Sequence, residues 1–161
     1  MNSLIKGLLD IVSKEFVVMF TAALPVIELR GAIPVGISLG FSPIHSAIIS
    51  FIGSMIPVPL IIFAIRPIFN YFKRTKYFRS LVEKLTSRSM GKSSNIQKYG
   101  AWGLLIFVAI PLPGTGVWTG SLIAALLNMR FKLAFPAIFF GNLIAGIITM
   151  LLSYGVISVF S

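Results

Sequence analysis

Glu28 and Arg30 stand two positions apart in ALPVIELRGAIPVG, residues 23–36, a run otherwise without charge. The two groups divide the available chemistry between them. Desolvation disfavours the charged form of a carboxyl, so an enclosed Glu28 suits a proton-coupling role. Arg30 keeps its charge and presents a planar fork of donors fitted to a carboxylate or phosphate. Residues i and i+2 do not face each other on a helix, so the two meet only where the backbone is irregular, as Pro25 and Gly31 permit. Otherwise each reaches another partner. A static ion pair that merely fixes the chain is the competing reading.

A second stretch, PLPGTGVWTG at 111–120 with its prolines at Pro111 and Pro113, offers complementary chemistry. Gly114, Gly116 and Gly120, with Thr115 and Thr119, let backbone amides face outward, and a helix starting after the proline break turns its positive end toward an anion. This is a nest without the lysine of a P-loop, and close helix packing is the other use of such glycines. Trp118 either covers a cavity or lies against lipid. Asn142 is a helix-to-helix hydrogen-bonding side chain or part of a substrate path. The candidate substrate-binding set is therefore Arg30, Gly31, Pro113, Gly114, Thr115, Gly116, Trp118, Thr119 and Asn142, with Glu28 carrying a proton.

Little else in the chain carries chemistry. There is no cysteine, hence no disulfide or thiolate, and no His/Cys/carboxylate cluster spaced for a metal. No nucleophile, base and orienting group converge, so the chain is expected not to be an enzyme and to need no cofactor.

The elements holding these residues must work in lipid. Of 161 residues, 57% are hydrophobic and 11% charged, and the mean hydropathy is +0.95, outside the range of soluble domains. From Gly31 to Ile65 the sole titratable side chain is His45, read as interfacial, and from Ala101 onward the charges are Arg130 and Lys132. Such runs exceed the length needed to cross a bilayer. A charge at the bilayer centre costs about 2.5–3.5 kcal/mol on insertion scales, which makes Glu28 and Arg30 functional candidates by default.

The net charge of +10 does not indicate nucleic acid, because nine of the fourteen basic residues lie between Arg66 and Lys98. That clustering fits a cytoplasmic loop under the positive-inside rule. Arg66, Lys73, Arg74, Lys76, Arg79, Lys84 and Arg88 share their segment with apolar residues at near-helical spacing, as in a helix on the inner leaflet or a plain topology determinant. The opening residues 1–15 carry Asp10 and Glu15 without a clear cleavage site, and read as a retained helix rather than a signal peptide.

The two apolar blocks share a pattern. An offset of 88 residues lays Leu24 and Pro25 on Leu112 and Pro113, Leu39 on Leu127, and Phe51, Gly53 and Ile56 on Phe139, Gly141 and Ile144. Each block is a proline- and glycine-broken segment, a polar turn and a longer apolar segment. The expected breaks are Pro25, Pro34, Pro111 and Pro113, each costing about 3 kcal/mol inside a helix. Kinked spanning helices would use the same prolines. Re-entrant hairpins alone bring every basic cluster to the cytoplasmic side.

The expected fold is an all-α integral membrane protein, one domain over 1–161, built as an inverted repeat. Its parts are an N-terminal helix 1–15, re-entrant hairpin 16–40, transmembrane helix 43–66, basic cytoplasmic segment 67–98, re-entrant hairpin 100–128 and transmembrane helix 132–157. A multi-pass protein of the cell membrane is expected.

ELRGAIP at 28–34, IPLPGTGVWTG at 110–120 and GN at 141–142 resemble the signature of the small multidrug export protein family, which is itself similar to the DedA/VTT membrane protein superfamily. The resemblance implies facing re-entrant hairpins, often in a homodimer, and transport, which in DedA-like relatives depends on the proton-motive force. Among DedA-like proteins it implies movement of lipids such as polyprenyl phosphate. The arginine-rich second motif of that superfamily is missing, with Trp118 and Thr119 in its place. The function expected is proton-coupled transport of an amphipathic or anionic substrate, a lipid-linked phosphate or a drug-like molecule, through a midplane site between the hairpins. The alternative is a non-transporting scaffold or envelope-assembly factor.

Overall fold

A computed structural model describes residues 2–72 and 93–160. The described residues are helical, with no strand among them: α1 (Asn2–Ala23), α2 (Glu28–Ser38), α3 (Pro43–Met55), α4 (Pro57–Phe72), α5 (Ser93–Ala109), α6 (Val117–Leu126) and α7 (Phe131–Phe160). Most of the basic segment, residues 73–92, lies outside the described residues.

Two helical stretches are long and apolar enough to cross a membrane, Pro43–Ile68 and Phe131–Val156. Large apolar side chains such as Phe16, Leu60, Ile106 and Leu151 stand more than half exposed, the surface expected where the solvent is hydrocarbon. The short helices α2 and α6, with 11 and 10 residues, reach only about 15–17 Å. That is near half of a hydrocarbon core about 30 Å thick.

The chain divides into two compact units, Met1–Ile56 with Asn142–Ser161, and Pro57–Gly141. Each draws on both apolar blocks. In the first unit α1, α2 and α3 pack on one another around Val18, Ala22, Ala32 and Ile49. Small residues let these helices approach: Gly53 of α3 lies against the backbone of Met19, and Gly36 of α2 against Ser46. In the second unit α6 packs mainly on α4 and also on α5, burying Val58, Ile62, Val108 and Val117. Gly120 faces Val108, and Gly141 faces the Leu105 carbonyl.

Both short helices end alike. The amide of Gly40 donates to Ile37 and that of Phe41 to Gly36, while Asn128 donates to Ala125 and Met129 to Ala124. Gly40 has φ +94° and Asn128 φ +51°, so each terminus is a Schellman motif with a left-handed residue closing it. The two closing residues are 88 apart. After the first, Ser42 caps α3 by accepting from the His45 amide at 3.3 Å, with Pro43 in the first turn.

Several boundaries differ from the sequence reading. The N-terminal helix does not stop at residue 15 but runs to Ala23, because no glycine or proline interrupts residues 8–24. Pro34 lies inside α2 rather than breaking it. It removes one helical hydrogen bond, and the segment continues until the turn at Gly40. The segment expected over 43–66 is divided at Ile56 and extends to Phe72. There Pro57 and Pro59 cannot donate to the preceding turn, yet Ile56 keeps right-handed helical angles, φ −58° and ψ −48°. The final helix begins at Phe131 and reaches Phe160.

Candidate functional site

Hairpin one turns through Leu24–Ile27, where Pro25 stands two residues past Ala23, the last residue of α1. The Glu28 amide donates to the Leu24 carbonyl at 3.0 Å, and Glu28 then adopts φ +52° at the first position of α2. A left-handed residue other than glycine costs about 1–2 kcal/mol. The consequence is an irregular backbone at the charged pair, and Arg30 Nη1 reaches Glu28 Oε2 at 3.3 Å. The side chains are 18% and 10% exposed, so both charges sit largely out of solvent. Gly31 follows with the Ile27 side chain packed where a Cβ would project. Leu29, between the two charges, packs against Gly146 of α7.

Asn142 lies in the same unit and is buried. Its Nδ2 donates to Ser54 Oγ at 2.8 Å and approaches Met55 Sδ at 3.6 Å. Ser54 Oγ passes the chain on to the Phe51 carbonyl at 2.9 Å. Asn142 therefore joins α7 to α3. The sequence reading missed Ser54, although Ser46, Ser50 and Ser54 recur every four residues along α3 and all three are buried. That spacing on an apolar helix was the available signal. The hydroxyls of Ser46, Ser50 and Thr149 have no hydrogen-bond partner among the described residues. His45, read as interfacial, is half-exposed and meets Glu15 of α1 at 2.8 Å.

The second turn, Ile110–Gly116, belongs to the other unit. Pro111 and Pro113 lie in it, outside helix, and Gly114 takes φ +85°. Thr115 ties the turn together: its Oγ1 donates to the Ile110 carbonyl at 2.7 Å, and the Leu112 amide reaches it at 3.3 Å. Gly116 is the extended N-cap of α6 and supplies no capping side chain, so the first-turn amides of that helix are left to other acceptors. Trp118 and Thr119 are half-buried in the first turn, and Gly120 packs inward. Arg66, read from the sequence as one of the basic inner-leaflet residues, donates through Nη2 to the Met129 carbonyl beside the α6–α7 turn.

Two open cavities are present among the described residues. One of about 450 Å³ lies against Lys14, Glu15, Phe41 and His45. The other, about 250 Å³, runs between α5 and α7. None of the candidate site residues lines either. No group of three metal-ligating side chains occurs among the described residues.

No curated protein and no solved structure matches the chain. Its sequence does match the family described as "Putative small multi-drug export protein" over residues 28–148, well over half of its length. That match begins at Glu28 and takes in Arg30, the proline-glycine turn and Asn142. The chain is a membrane protein and belongs to the small multi-drug export protein family.

Proposed function

We propose that the chain is a proton-coupled transporter of amphipathic, anionic substrates, with Glu28 as the proton-carrying group and Arg30 as the anion-holding one. The family suggests export. The single observation carrying the finer reading is the buried Glu28–Arg30 pair on a left-handed turn at the start of a half-span helix. A buried ion pair adds little net stability, since desolvation offsets its attraction. Spending backbone strain as well to hold one in an apolar segment argues for a use beyond fixing the turn. When Glu28 is ionised it occupies Arg30; when it takes a proton, Arg30 is released to a phosphate or carboxylate. Proton uptake and substrate binding then exclude the resting pair together, which is coupling in its simplest form.

Within the second unit taken by itself, the start of α6, where Gly116 supplies no capping side chain, is an anion-holding element of this reading, with Gly114, Thr115, Trp118 and Thr119 around it. Thr115 acts through the shape of the turn rather than by its occupied hydroxyl. The inverted repeat is supported by Ser54 and Asn142. They are 88 residues apart, the same offset that aligns the two blocks, and they bond to each other. Equivalent positions meet in this way where a two-fold axis passes. The half-length α2 and α6 support re-entrant hairpins. A multi-pass protein of the cell membrane, acting as a homodimer without covalent chemistry, completes the proposal.

Proteoliposomes holding a pH-sensitive dye test it. With a fluorescent polyprenyl phosphate or a lipophilic anionic dye outside, the wild type is expected to move substrate and protons together. Glu28→Gln abolishes the proton movement. Because that variant leaves Arg30 buried without its counter-charge, the paired Glu28→Gln/Arg30→Met variant accompanies it as a folded control, equally inactive. Undiminished proton-linked transport by either variant contradicts the assignment. Variants that change only stability or oligomer size, with no transport in the wild type, favour a scaffold instead.

A further inference from the structure

Among the described residues of unit two, positive charge has no acidic side chain to offset it. The chain has four acidic residues, Asp10, Glu15, Glu28 and Glu83, and none falls among the described residues of Pro57–Gly141. Arg66, Arg130 and Lys132 do. The Arg66 guanidinium is drawn to the α6–α7 turn by the Met129 carbonyl, and its Nε is buried without a hydrogen-bond partner. Arg130 is the next residue of that turn, and Lys132 lies in the first turn of α7. Gly100, midway along α5, faces the Met129 side chain. One end of the unit thus gathers the second half of α4, the middle of α5 and the α6–α7 turn, with three cations.

The groove of about 250 Å³ opens at that end. Trp102 and Leu105 of α5 form one wall, and Leu133, Pro136 and Phe140 of α7 form the other, with Lys132 closing it. Lys132 to Phe140 spans eight residues, about 12 Å along the helix. Apart from that lysine the lining is apolar. Trp102 is 61% exposed, and α7 begins its apolar span at Phe131, the depth at which tryptophan and lysine mark the edge of the hydrocarbon. A cavity that is greasy along its length and positive at its mouth matches a molecule with the opposite ends: an acyl chain and an anionic head.

We propose that this groove is a binding site for an anionic phospholipid, one acyl chain lying between α5 and α7 and the phosphate held by Lys132, Arg130 and Arg66. The charge complementarity decides the occupant. A neutral or zwitterionic lipid leaves the cluster uncompensated, and a free phosphate ion leaves the apolar trough unfilled. The site is separate from the Glu28–Arg30 pair and requires no transport activity. Its consequence is that acidic lipid stabilises the second unit and ties its end to the membrane surface.

Native mass spectrometry of the full chain, released from nanodiscs of equal phosphatidylglycerol and phosphatidylcholine with identical chains, reads the site. The wild type is expected to retain phosphatidylglycerol selectively. Lys132→Ala should lower that retention about five-fold, following the cost of one basic residue near an anionic surface, and adding Arg130→Ala lowers it further. Ala101→Phe, which fills the groove without touching charge, should also lose the lipid. Ile106→Leu, at an exposed position of α5 outside the groove lining, serves as the folded control and retains the lipid. Equal retention of the two lipids overturns the proposal, as does phosphatidylglycerol retention unaffected by the charge and groove variants. Displacement of the lipid by millimolar inorganic phosphate alone would overturn the acyl-chain part.

Discussion

A glutamate with φ +52° turns its side chain where a helical residue does not, and that turn lets Glu28 meet a partner two positions on. Cost and contact belong to the same atom positions. Removing the carboxylate alone leaves Arg30 charged in a site with little solvent, so Glu28→Gln should destabilise by about 3–5 kcal/mol. Replacing both partners, as in Glu28→Gln/Arg30→Met, should restore most of that loss; thermal unfolding in detergent distinguishes the two. The sequence displayed both residues and the proline and glycine that permit their meeting. It did not display the left-handed angle, nor the carbonyl that Arg66 finds at Met129, because each depends on contacts made after the chain has folded back.

At the scale of elements, the two short helices share one way of stopping. Gly40 and Asn128 close them with the same pair of hydrogen bonds. Gly40→Ala forces a side chain into the left-handed region and should cost about 1 kcal/mol or more, whereas Asn128→Gly should be neutral or slightly stabilising, both read as shifts in Tm. The apolar runs made the two long spans legible, and the prolines at 25, 111 and 113 coincide with non-helical turns. Residue 15 was misread as an end because a charged residue before an apolar run resembles one, yet charge alone breaks no helix. Pro34 was misread because a single proline is absorbed by a helix whose neighbours pack it, and Pro57 marks a hitch rather than an end for the same reason.

On the scale of the whole molecule, the family and the membrane setting were readable from ELRGAIP, the proline-glycine turn and the hydropathy. The partnership of Ser54 with Asn142 was not, since serine on an apolar helix usually bonds its own backbone. Their shared hydrogen bond predicts reciprocity. Asn142→Ala and Ser54→Ala should each cost about 1–2 kcal/mol and fall short of additivity when combined. Exchange of the two residues, Ser54→Asn with Asn142→Ser, should recover most of the stability, as positions related by a two-fold would. An exchange as damaging as the two losses summed would speak against the repeat.

The central claim is that Glu28 takes up and gives back a proton during the cycle. Difference infrared spectroscopy on protein carrying ¹³C-carboxyl glutamate observes that event directly in lipid. On mild acidification a protonated-carboxyl band should appear, be strengthened by anionic substrate, vanish again at neutral pH once substrate is removed, and be missing from Glu28→Gln. A Glu28 that stays ionised throughout, in vesicles whose wild-type protein still couples transport to protons, would contradict the account.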